Sequence, residues 1–147
     1  MFKAISDLLN NSKKPPNQPI DTKLAVAVLL VHLSDIDGET TDEEQKLVAL
    51  ILKEHFDLNL EQVDELIKSA HSKDQEAVDF YQFTSIITQL DMEQRIKIIS
   101  MMWQVVFADK KNHELEDNMI WRVAELIGVS SRDRTKLRAQ FAKKALE

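Results

Sequence analysis

Asp35-Ile36-Asp37-Gly38-Glu39-Thr40-Thr41-Asp42-Glu43-Glu44 closes one helix, turns and opens the next. Gly38 sits where the chain must reverse, and glycine adopts a positive φ angle without a Cβ clash. Thr41 and Glu44 have the spacing of a capping box. Asp42 and Glu43 fall in the first turn of the new helix, where the macrodipole favours negative charge.

Before this turn lies a run with almost no polar face, Leu24, Ala25, Val26, Ala27, Val28, Leu29, Leu30, Val31 and Leu33. A helix apolar all round belongs at the centre of a fold, and the expected cap is Asp21 or Thr22. The run is too short to span a bilayer, and no secretory leader is expected. His32 interrupts it, three positions before Asp35, and a hydrogen-bonded structural role is the expectation. After the turn, Leu47, Leu50, Ile51 and Phe56 give the next helix its buried side.

The same skeleton returns 72 positions later, with Asp37 on Asp109, Asp42 on Glu114, Glu44 on Glu116, Leu47 on Met119 and Ile51 on Val123. One residue is then lost, and Phe56 meets Ile127, Leu58 meets Val129 and Asn59 meets Ser130. Each half reads as helix, acidic turn, helix, capped corner, helix. Between the halves, Asn59 and Gln62 open a helix carrying Leu60, Val63, Leu66, Ile67 and Ala70. His71-Ser72-Lys73-Asp74 reads as a loop. Asp79 starts a helix with Phe80, Phe83, Ile86, Ile87 and Leu90, and Asp91 opens a longer one through Val106. The following helix, from His113, turns Met119, Ile120, Val123, Leu126 and Ile127 inward. Gly128 is the expected left-handed stop, and Ser130 or Ser131 caps a last helix with Leu137, Phe141 and Ala145 as apolar contacts.

The fold class is therefore all-α: about seven core helices in two pseudo-symmetric halves packed face to face, plus a short amino-terminal helix. Residues 1–20 form that amphipathic helix (Phe2, Ile5, Leu8, Leu9) and a Pro-rich linker, and residues 21–147 the helical domain. Only two Gly and three Pro in 147 residues agree with helices joined by short connections. The absence of Cys removes disulfides and thiolate metal sites and fits a reducing compartment, so a cytoplasmic location is expected.

The formal charge of −6 disfavours nucleic-acid binding. Residues 35–65 hold eleven acidic and two basic residues, a balance of −9, whereas residues 132–147 hold six basic and two acidic, a balance of +4. Solvated helix faces account for both, with a cation patch and a partner-binding end as the functional alternative. A protein partner or self-association is expected. Membrane contact through residues 2–9 is the weaker alternative, because so short a segment binds lipid poorly without strong positive charge.

Several stretches resemble the TerB family, named for bacterial tellurite resistance: Asp37-Gly38-Glu39 with Glu44, Phe80-Tyr81-Gln82-Phe83-Thr84, Trp103-Gln104-Val105-Val106-Phe107-Ala108-Asp109, and Ala124-Glu125-Leu126-Ile127-Gly128-Val129-Ser130. The likeness is to its small stand-alone members and runs from about residue 21 to the end. It implies an all-helical fold of two related halves and a metal-binding role for the acidic turns, carried here by Asp37, Glu44, Asp109 and Glu116. Lys110-Lys111-Asn112 departs from the family's Asp-Gly turn.

Carboxylates at these positions suit a hard divalent cation, Ca²⁺, Mg²⁺ or Mn²⁺, with Asp35 and Glu39 as further ligands. An EF-hand is a poor fit, because Leu33 occupies its first ligand place and Thr40 stands where an apolar residue is usual. Helix capping explains the same acids without any ion, and both readings stand at this level. No enzyme is expected: the four His lack zinc-helix spacing, no phosphate-binding glycine loop exists, and no nucleophile elbow is visible. Trp103, Trp121 and Tyr81 sit among apolar neighbours and read as core. Two functions follow as expectations: a TerB-like module that binds a divalent cation in metal or envelope stress, or a metal-free interaction scaffold using its surface and amino-terminal arm.

Overall fold

The computed structural model describes residues 20–36, 38, 41–77, 79–108 and 114–146, without the side chains of 145 and 146. The amino-terminal helix and linker, Asp37, Glu39, Asp109, the Lys110 turn and the Ala145 contact lie outside these described residues. Among them are seven helices: α1 Thr22–Asp35, α2 Asp42–Phe56, α3 Leu60–Glu76, α4 Tyr81–Ile87, α5 Met92–Val106, α6 Glu114–Leu126 and α7 Ser131–Leu146. The described residues are all-α, 82% of them helical. No helix among the described residues is long and apolar enough to cross a membrane.

α1 is the axle. Residues Ala25 to Val31 and Leu33 are buried without a break, as its lack of a polar face requires. It is packed by α2, α3, α4 and α5. Asp21 caps it by accepting from the Leu24 N–H at 2.9 Å. α5 is the second central helix, contacting α1, α2, α6 and α7, and buries Ile98, Ile99, Met101, Met102, Trp103, Val105 and Val106. Asp91 caps it through the Gln94 N–H at 2.9 Å.

The two corners expected from sequence share their hydrogen bonds. At the end of α2, Asp57 is left-handed (φ 53°), the Leu58 N–H reaches the Lys53 carbonyl at 3.0 Å, and the Asn59 side chain caps α3 through the Gln62 N–H at 2.8 Å. At the end of α6, Gly128 is left-handed (φ 75°), the Val129 N–H reaches the Ala124 carbonyl at 2.9 Å, and the Ser130 hydroxyl caps α7 through the Asp133 N–H at 3.1 Å. Both are Schellman-type closures followed at once by an N-cap. Asn59 and Gln62 form the full capping box.

Arg95, absent from the sequence reading, ties the corner between α4 and α5 to the end of α6. Its Nε donates to the Leu90 carbonyl at 2.9 Å and one terminal nitrogen to the Ile127 carbonyl at 3.2 Å, while the other reaches the Thr88 carbonyl. Only a guanidinium offers donors in that many directions at once.

Three expectations are corrected. His71 to Asp74 is not a loop, because α3 continues to Glu76 and its last turns are held to α1 by side-chain pairs. Leu50, Leu60 and Leu126 are exposed, and Val48 and Leu52 fill the inward positions of α2. Tyr81 and Trp121 are exposed as well; Trp103 alone of the three belongs to the core.

The contrast on α2 can be measured. Leu52→Ala, at a fully buried position, is expected to lower unfolding free energy by about 2–5 kcal/mol. Leu50→Ala, at a side chain 48% exposed, is expected to change it by about 0.5 kcal/mol or less by the same denaturant titration.

His55, near the end of α2, has its pKa lowered from 6.5, first by burial and second by the Lys97 charge. The folded state therefore takes up its proton at a lower pH than the unfolded chain does. His55 costs nothing above about pH 6.5 and destabilises the fold progressively as pH falls from there toward its depressed folded value. His55→Gln is expected to flatten the stability–pH curve below about pH 6.5, read as denaturation midpoints against pH.

Candidate functional site

The first acidic turn begins where α1 stops. The Gly38 N–H closes onto the Asp35 carbonyl at 2.9 Å, with Gly38 at φ 78°. A side chain there would meet no steric obstacle, so glycine is required by the backbone angle and not by space. Thr41 then caps α2, its hydroxyl oxygen accepting from the Glu44 N–H at 3.1 Å. Asp42 and Glu43 point outward, while Glu44 is only 5% exposed. In α6, Glu114 is exposed and Glu116 is 8% exposed.

Glu44 and Glu116 are the acidic side chains that the fold buries among the described residues. Each is the third residue of its helix. The helical register explains this: each lies a turn before the stripe formed by Val48, Ile51 and Leu52 in α2, and by Met119, Ile120 and Val123 in α6. Both are engaged within the fold. Their partners in the expected ligand set, Asp37, Glu39 and Asp109, lie outside the described residues. The described residues contain no group of three or more His, Asp or Glu gathered to hold a metal ion. What they supply is two buried oxygen donors of the type hard cations take.

Asp35 is placed differently. Its carboxylate lies 3.7 Å from His71 Nδ1 on α3. One turn earlier on α1, His32 Nδ1 lies 2.7 Å from the Asp74 carboxylate, and the His32 ring meets the edge of Phe80 at 4.7 Å. The seam between α1 and α3 is thus held by two crossed His–Asp pairs, from His32-Leu33-Ser34-Asp35 and His71-Ser72-Lys73-Asp74. The repeated His-x-x-Asp spacing was the available signal, and reading the second copy as a loop hid it. A cleft of about 360 Å³ opens beside this seam, lined by Ser34, Asp42, Lys46, Asp64 and His71 among others.

The carboxy-terminal half presents a second constellation that sequence reasoning assigned to the core. Arg138 on α7 pairs with Asp117 on α6 at 2.9 Å and lies over the Trp103 and Phe107 rings. Trp121 shares its helix face with Asp117, Asn118 and Glu125, three and four positions away. Those polar neighbours were the sign that it flanks the buried stripe.

Helix, acidic turn, helix and capped corner, with a buried glutamate in the helix after the turn, define the class of this protein as a helical bundle with an acidic turn. The chain belongs to the TerB family: the family model described as Tellurite resistance protein TerB matches residues 23–139, from the first turn of α1 into α7. Comparisons with curated proteins and with solved structures gave no match.

Proposed function

We propose that this chain is a non-catalytic, cytoplasmic TerB-type module that binds a divalent cation at its acidic turns. Glu44 and Glu116 are the inner ligands, Asp37 and Asp109 complete the set, and Asp35 and Glu39 are further donors. The cation is Ca²⁺, Mg²⁺ or Mn²⁺, since every donor is an oxygen. A role in tellurite-related or other metal and envelope stress accords with the family to which the chain belongs.

One observation carries this reading: the burial of a glutamate as the third residue of both α2 and α6. The cap of α2 is the Thr41 hydroxyl, and the helix dipole is served by exposed first-turn acids such as Asp42 and Glu43; neither needs a buried one. The matching corners after α2 and α6 support two related halves. Binding at such turns would be read by a protein partner or a second copy, through exposed apolar side chains such as Leu60, Tyr81 and Leu115.

Calorimetric titration of the full chain with Mn²⁺, Ca²⁺ and Mg²⁺ tests the reading. Saturable binding of at least one ion is expected, weakened about tenfold or more in both Glu44→Gln and Glu116→Gln. No heat and no thermal shift in the native chain would remove the cation and leave the metal-free scaffold.

A further inference from the structure

Three mutually packed helices, α5, α6 and α7, leave a cleft of about 450 Å³ between them, within the range of small-molecule sites. Its walls are Trp103 from α5, Asp117 and Trp121 from α6, and Arg134 and Arg138 from α7. This is far from the composition of a packed core or of an ordinary solvated face.

Two features show that the fold leaves polar demand here unmet. Trp103 is 2% exposed, yet its indole Nε1–H has no hydrogen-bond partner among the described residues. Asp117 uses one carboxylate oxygen on Arg138, while its other oxygen is buried and likewise unpartnered among those residues. Buried donors and acceptors are satisfied in the large majority of cases, and an unmet one costs about 1–3 kcal/mol. The two residues that carry these orphaned atoms both line the cleft.

The remaining groups define what would fit. The Arg134 guanidinium lies 5.4 Å from the Trp121 ring centroid and has no ion-pair partner among the described residues. Trp121 is 47% exposed, so its ring offers a flat apolar surface at the mouth. Arg138 covers the Trp103 ring at 5.5 Å and holds Asp117. With one carboxylate against two guanidiniums, the cleft carries a surplus positive charge. Guanidinium forks match carboxylates in plane and spacing, and aromatic rings stack on indole.

We propose that this cleft binds a small planar aromatic carboxylate. The carboxylate takes Arg134 and competes with Asp117 for Arg138, and the flat body lies on Trp121. A carboxylate oxygen is the kind of acceptor that the buried Trp103 Nε1–H lacks. The site uses none of the acids proposed to hold the cation and needs no cation.

The chain contains two Trp, both on this cleft, so two indole N–H resonances report on it directly. The full chain, labelled with ¹⁵N, is titrated with benzoate, with benzamide and inorganic phosphate as comparators. Benzoate is expected to move both indole resonances saturably, about tenfold more weakly in Arg134→Gln and in Trp121→Leu (the latter read on Trp103 alone). Retained thermal midpoints separate lost binding from lost fold. Absence of a saturable shift, equal binding in both variants, equal binding of benzamide, or a phosphate response as strong as that of benzoate, meaning an adventitious ion only, would each overturn the proposal.

Discussion

Everything in this structure depends on one helix being surrounded. α1 has no polar face to give to water, so the chain must cover it on every side. Four other helices do so, and in covering it they fix where each connection runs. Burying a Leu side chain contributes about 1.5–3 kcal/mol, and α1 alone supplies Leu29, Leu30 and Leu33 together with five Val and Ala positions that are nearly or fully buried. The first acidic turn inherits its position from this, because it starts where α1 ends and must pass at once into α2 across the same core.

That constraint is also what buries Glu44. A helix that starts beside a fully apolar neighbour has little freedom in its rotation, since Val48, Ile51 and Leu52 must face inward. The third residue of the helix then points toward the core, whatever its chemistry. In α6 the stripe of Met119, Ile120 and Val123 imposes the same rotation on Glu116. A fold that needed only caps could place alanine or glutamine at these two points. Keeping a carboxylate there, against the cost of desolvating it, is the physical ground for assigning a task to the turns. The α1–α3 seam adds stiffness nearby, because the crossed His32–Asp74 and Asp35–His71 pairs hold the end of α1 from which the turn departs.

Much of this was legible in the residues, and the failures have physical causes. The central helix, the Asp21, Thr41, Asn59 and Asp91 caps and the left-handed Gly38 and Gly128 are local signals, decided within four or five residues of chain. What was misread depends on partners distant in sequence. His71 to Asp74 is polar enough for a loop, but it continues a helix because its His and Asp meet their complements about forty residues earlier. Leu50 and Leu126 sit at helical spacing from buried residues and are nonetheless outside, because Val48, Ile51 and Leu52 in α2 and Met119, Ile120 and Val123 in α6 set the inward faces. Trp121 reads as core by its hydrophobicity and proves to be the lip of a cleft. Of the six acids singled out from sequence, the described residues place Glu44 and Glu116 inside and Asp35 against His71. No pattern in the sequence could announce the burial of the first two before the rotation of α2 and α6 was known.

The central claim is that the two acidic turns act as one site around a divalent cation. Paramagnetic relaxation by Mn²⁺, added below one equivalent to the ¹⁵N-labelled full chain, tests it most directly. The account predicts that amides around Gly38 and Thr41 and those at the start of α6 broaden together, at the same ion concentration and ahead of every other acidic surface. Broadening confined to one turn, or spread evenly over the exposed acids of α2 and α3, would contradict it.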